Sequence, residues 1–155
     1  GDREMKKVFL LLIFFCTLSF SDMGGFGDLK WGASREEVTQ YMMKTYNLKN
    51  YEIYQLKNSI MVSLSNVELF NIDLYNIDFY FNDNGRLSNW WAESYTIKED
   101  KKSLIEKFKK EYNLKEEKEK DGLVILYGYS GTELISISFY PNKITFNIRY
   151  MGDRK

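Results

Sequence analysis

The chain has 155 residues, with 22 basic and 22 acidic side chains, no histidine and one cysteine; 44% of its residues are hydrophobic and 17% aromatic. That length makes one domain with a sizeable core, and the cancelling charges give no pull toward nucleic acid or an anionic membrane. Without histidine, Ser-His-Asp and Cys-His nucleophile systems, histidine bases and most zinc, copper or haem sites are excluded, so no cofactor and no metal is expected.

From Met5 the chain reads MKKVFLLLIFFCTLSFS: two lysines, an apolar run from Val8 to Phe20, and small residues at Ser19 and Ser21 suited to cleavage after Ser21. This is the pattern of a secretory signal peptide, and the apolar run is shorter than the ~20 residues a bilayer span requires. Residues 1-21 are therefore read as a short leading remnant plus a cleaved leader, and 22-155 as a single α+β domain that is secreted or periplasmic, without stable membrane insertion. Cys16, three residues after Ile13, allows a lipid anchor as the alternative, although Phe15 stands where a lipobox has a small residue. Cleavage after Ser21 leaves 19 basic and 20 acidic side chains and no cysteine, hence no disulfide.

Asp22 to Asp28 contains Gly24, Gly25 and Gly27 and reads as a flexible entry that tightens at Phe26. Ser34-Arg35-Glu36-Glu37 forms a capping box for a helix whose face carries Val38, Tyr41, Met42 and Thr45 and whose end suits Asn47 as C-cap. From Tyr51 the period changes to two, giving strands near Glu52 to Leu56 and Ile60 to Leu64, with Phe70 to Asp73 connecting into a long hairpin. In that hairpin Ile77, Phe79 and Phe81 alternate with polar residues, Asn82-Asp83-Asn84-Gly85 makes the turn, and Leu87, Trp91 and Tyr95 share one parity of the return strand. Lys98 to Glu119 is a second, highly charged helix with a stripe of Leu104, Ile105, Phe108 and Tyr112. A meander follows over Leu123 to Tyr127, Leu134 to Tyr140 and Lys143 to Tyr150, its alternation that of an antiparallel sheet with one face buried under helices.

Tyr46-Asn47-Leu48-Lys49 recurs as Tyr112-Asn113-Leu114-Lys115, each at the end of an expected helix, and Ile77-Asp78-Phe79-Tyr80 matches Ile137-Ser138-Phe139-Tyr140. These echoes predict a tandem α-β-β-β repeat over about 29-97 and 98-150, which puts two amphipathic helices on one face of an antiparallel sheet. Trp31-Gly32-Ala33-Ser34-Arg35-Glu36-Glu37-Val38, then Phe81-Asn82-Asp83-Asn84-Gly85-Arg86-Leu87, then a charged helix ending in Tyr112, resembles a pattern of uncharacterised secreted or lipid-anchored bacterial proteins. The order of elements is similar to the β-lactamase-inhibitor-protein-like fold, which implies a tandem helix-plus-sheet layout and carries over no functional residue.

The remaining chemistry is carboxylate, lysine and tyrosine chemistry. Asp73, Asp78 and Glu93 offer a carboxylate pair for a hydrolase, whereas Asn82 to Gly85 lacks the later oxygen ligands of a calcium loop and reads as a turn. Tyr80, Trp90 and Tyr140 fall on the polar parity of their strands, Trp90 by elimination once Trp91 joins Leu87 and Tyr95. Exposed together they would form an anchoring surface; as shielding tyrosines they would have no partner. The expectation is a non-catalytic binding protein of the cell envelope, with a protein or envelope component as partner and Tyr80, Trp90 and Tyr140 as its site. An inhibitor or immunity-like protein is the alternative, and a carboxylate hydrolase the third reading.

Overall fold

The computed structural model describes residues 23–63, 67–95 and 98–152. Two helices, α1 (Arg35–Tyr46) and α2 (Lys101–Tyr112), pack on an antiparallel sheet of nine strands. The strands are β1 (Ile53–Gln55), β2 (Ser59–Val62), β3 (Val67–Leu69), β4 (Ile72–Phe81), β5 (Leu87–Ser94), β6 (Lys115–Lys118), β7 (Val124–Ser130), β8 (Glu133–Phe139) and β9 (Ile144–Tyr150). They are ordered β1-β2-β4-β5-β9-β8-β7-β6, with β3 pairing the first residues of β4. Strands following α1 fill one side and those following α2 the other, and β5 and β9 join them at the centre.

The two helices begin and end alike. Ser34 accepts from the amide of Glu37 and Asp100 from that of Ser103, satisfying donors that the first turn leaves free. Asn47 and Asn113 both stop their helix in the left-handed conformation, each at φ 54°, a geometry asparagine tolerates better than most residues. The following Leu48 and Leu114 fold back as buried residues, their amides bonded to the carbonyls of Met43 and Lys109. Val38 and Met42 from α1, and Leu104, Ile105, Phe108 and Tyr112 from α2, bury the helical stripes. The α2 helix stops at Asn113, short of the expected Glu119, and Lys115–Lys118 continue as the charged edge strand β6. Charge suits an edge, since it discourages pairing with another chain.

At the β3-β4 turn Phe70 and Asn71 take φ 56° and 59°, the two left-handed positions of a tight hairpin. A bulky residue there carries about 1–2 kcal/mol of backbone strain. Ring contacts offset it: Phe70 meets Phe108 at 5.6 Å, Phe146 at 6.1 Å and Tyr112 at 6.4 Å.

The glycine-containing stretch after residue 22 is a packed strap that tightens at Phe26 as expected but is already held at Met23 and Gly24, where its composition suggests flexibility. Phe26 is fully buried, edge-on to both Phe79 and Trp90 at 5.0 Å, and closes a local bridge with Leu29. Fully buried Glu133, at the start of β8, accepts from the amides of Met23 (3.0 Å) and Gly24 (2.6 Å) and from the indole of Trp31 (3.1 Å). Glycine is required at position 25, where φ is +120° and a Cβ would lie 1.9 Å from the carbonyl oxygen of Leu29.

Candidate functional site

Two one-residue irregularities decide which side chains reach the open face of the sheet. In β5, Phe81 pairs Leu87 while Tyr80 pairs Asn89, so Ser88 is an extra residue. Such a bulge resets the alternation beyond it. Leu87 and Trp90, three apart, are consequently both buried. In β4, Tyr75 pairs Glu93 while Asp78 pairs Trp91, and Asn76 takes up the extra residue at φ 44°. Leu74 and Ile77 are both buried for the same reason.

The tryptophans are thereby exchanged relative to strict alternation. Trp90 is 0% exposed; its indole N–H donates to the carbonyl of Gly25 at 2.9 Å, and its ring stacks on Phe146 at 6.1 Å. It belongs to the core and not to a binding surface, because the bulge at Ser88 breaks the parity that would have turned it outward. Trp91 is the partly exposed one. Its cross-strand partners are Asp78 on β4 and Asn147 on β9, and beyond Asp78 comes Met61 on β2. Both helices bury their stripes on the opposite face, so among the described residues no helix covers this one.

Tyr80 and Tyr140 do reach the open side, Tyr80 39% exposed and Tyr140 half-buried. They do not adjoin. β5 and β9 separate their strands, about 14 Å across the sheet, and they stand toward opposite ends of it, Tyr80 beside Asn89 and Tyr140 next to the β8-β9 turn. The three expected site residues therefore form no single surface.

Charged groups extend this face from β4 to the β8-β9 turn. Glu93, two residues beyond Trp91, is buried and accepts from the side-chain amide of Asn76 at 2.9 Å. Lys143 lies 3.8 Å from Glu93 and 5.2 Å over the ring of Tyr140. A hydrogen bond to Glu93 is the main reason that the Tyr95 hydroxyl is raised above its ordinary range, with burial and the charge of Glu93 adding to it. The carboxylate of Asp78 has neither a hydrogen bond nor an ion pair among the described residues. Burial first, and then the charge of Glu93, lifts its carboxyl above the usual carboxylate range. Burial and the nearby Asp78 raise the Tyr80 hydroxyl in turn.

Asp78 and Glu93 are thus neighbours in electrostatic terms, as a carboxylate pair would require, while Asp73 is held apart by an exposed ion pair with Lys98 at 3.3 Å. Among the described residues no group of three or more potential ligands is placed to hold a metal ion, and no helix is long and apolar enough to cross a membrane. The indole N–H of Trp31 is accepted by Glu133 and that of Trp90 by Gly25, whereas that of Trp91 has no protein acceptor among the described residues. Strand patterning overlooked Trp91 and Lys143: the extra residue at Ser88 leaves no mark in the alternation of β5, and the approach of Lys143, at the start of the last expected strand, to Glu93 follows from the sheet register.

No protein-family model matches the chain, and neither do curated proteins or solved structures.

Proposed function

We propose that this is an exported, non-catalytic binding protein of the cell envelope that engages a protein partner through the open sheet face centred on Trp91. The observation that carries the reading is the setting of Trp91: among the described residues it is a large aromatic side chain on a face no helix covers, its N–H has no protein acceptor, and the carboxylate beside it has no counter-ion. Aromatic anchors of this kind bring large contact area with few rotatable bonds and dominate many interfaces. The chain is read as a tandem duplication, supported by helices of equal length with equivalent caps and by a strand order that runs outward in the same sense from the β5-β9 seam.

The test is recovery of a partner from an envelope fraction with tagged protein, comparing wild type, Trp91→Ala and Tyr51→Ala, the last a 76% exposed tyrosine outside the strands. A partner kept by wild type and Tyr51→Ala but lost by Trp91→Ala is the expected result, and equal recovery by all three overturns the reading. Export is checked by mass spectrometry of the processed protein, which should begin at or next to Asp22 without lipid; diacylglycerol on Cys16 would establish the anchored form instead.

A further inference from the structure

We propose that the partner presents an arginine side chain, which lies flat on the indole of Trp91 with its guanidinium on the carboxylate of Asp78. This rests on the reading of the open face as a binding surface and specifies what that surface takes.

The register places Asp78 directly across from Trp91, so their Cβ atoms are about 4.5–5.5 Å apart. A planar cation over the indole is then within reach of the carboxylate. Along and across the sheet, Trp91 is bordered by Asn89, Glu93, Asp78 and Asn147, all of which carry acceptor oxygens. One of these, the Oδ1 of Asn89, is buried without a hydrogen-bond partner. Among the described residues the cations leave this place open: Lys143 is paired with Glu93, and Arg149, opposite Asn89, makes neither an ion pair nor a ring contact with these residues.

A partly buried carboxylate beside a second carboxylate is unfavourable for the isolated fold, and an incoming cation removes that penalty on binding. Arginine fits better than lysine for geometric reasons. Its guanidinium stacks on an aromatic plane and offers two parallel donors to one carboxylate, while an ammonium is a strongly hydrated point charge. Met61, next to Asp78 on the β2 side, adds an apolar border for the methylene stem.

The test is an NMR titration of the 15N-labelled full chain with N-acetyl-arginine methylamide, and with N-acetyl-citrulline methylamide as the uncharged isostere. The indole signals report separately, since those of Trp31 and Trp90 are bonded inside the protein. The Trp91 signal should move saturably with the arginine compound and stay in place with citrulline at equal concentration. Asp78→Asn, nearly isosteric, should weaken the arginine response at least tenfold while the Trp31 and Trp90 signals remain at their wild-type positions. A flat titration, an equal response to citrulline, or an unchanged response in Asp78→Asn overturns the arginine assignment. If in that case Trp91→Ala still loses its envelope partner, the binding face stands with another chemistry; if Trp91→Ala keeps the partner, both fall together.

Discussion

The indole of Trp90 donates to the carbonyl of Gly25, 65 residues earlier in the chain, at 2.9 Å. That bond ties the strap at the amino end of the domain to the middle of the sheet, and it distinguishes Trp90 from its neighbour. Trp90→Ala should destabilise the protein by ~3–5 kcal/mol, the usual loss for a large aromatic in a closed core. Trp91→Ala should change stability by about 1 kcal/mol or less, as expected for a partly exposed position. Urea unfolding of the two variants measures the difference, and reversed magnitudes would mean that the bulge at Ser88 is misplaced.

Gly25→Ala tests the strap from the backbone side. An added Cβ meets the carbonyl oxygen of Leu29, and the conformation itself disfavours any L side chain. A loss of more than ~1 kcal/mol is expected, together with faster hydrogen exchange at the Trp90 indole as its acceptor shifts. Gly85→Ala is the comparison: it also has positive φ but open space around it, so only the conformational part of the penalty should appear.

The helix ends, the main hairpin and the closing meander were legible because each rests on local chemistry: Ser34 as a cap, Asn47 and Asn113 as left-handed stops, Gly85 in a turn, and Ile135, Ile137 and Phe139 alternating with serines. The two bulges were not. Asn76 suits positive φ and stands where Leu74 and Ile77 break the alternation, but Ser88 is an unremarkable strand residue, and its bulge shifts the later side chains of β5 to the other face, which is why the tryptophans were exchanged. The strap was legible at Phe26 but not at Met23 and Gly24, since glycines that permit flexibility also permit the close approach that Glu133 exploits. The face itself was anticipated through Tyr80 and Tyr140, and Asp78 and Glu93 were singled out as a carboxylate pair, while the residue at its centre was not.

Asp78 gives the stability profile a definite sign. Its carboxyl is raised above the ordinary 3.8 in the folded protein, so folding favours the protonated form. The penalty for ionisation is absent below 3.8, grows as the pH rises through 3.8, and is complete once the raised folded value has been passed. Asp78→Asn should therefore raise Tm at pH 7 and leave it unchanged at pH 3. Thermal melts at the two pH values decide this; an Asn variant less stable than wild type at pH 7 would mean that the carboxylate is paired in solution.

Asn47 and Asn113 provide a matched pair of substitutions. Alanine at either should lose ~1 kcal/mol by forcing a β-carbon into the left-handed region, whereas glycine should hold or improve stability. The two caps lie at the ends of different helices and share no described contact, so the double Asn→Ala variant should show the sum of the singles. A large interaction energy would mean that the two halves of the sheet communicate through their helix ends.

The clamp that Glu133 places on Met23 and Gly24 spans 110 and 109 residues, and this separation sets an order of events during synthesis. The amino end is made first and locked last, since its acceptor emerges with β8 and the seam between β5 and β9 closes only when β9 follows. Until then Phe26 has no finished core to enter. The first half of the chain cannot complete this core before β9 is made, and the whole molecule should fold in one late, slow step dominated by distant contacts.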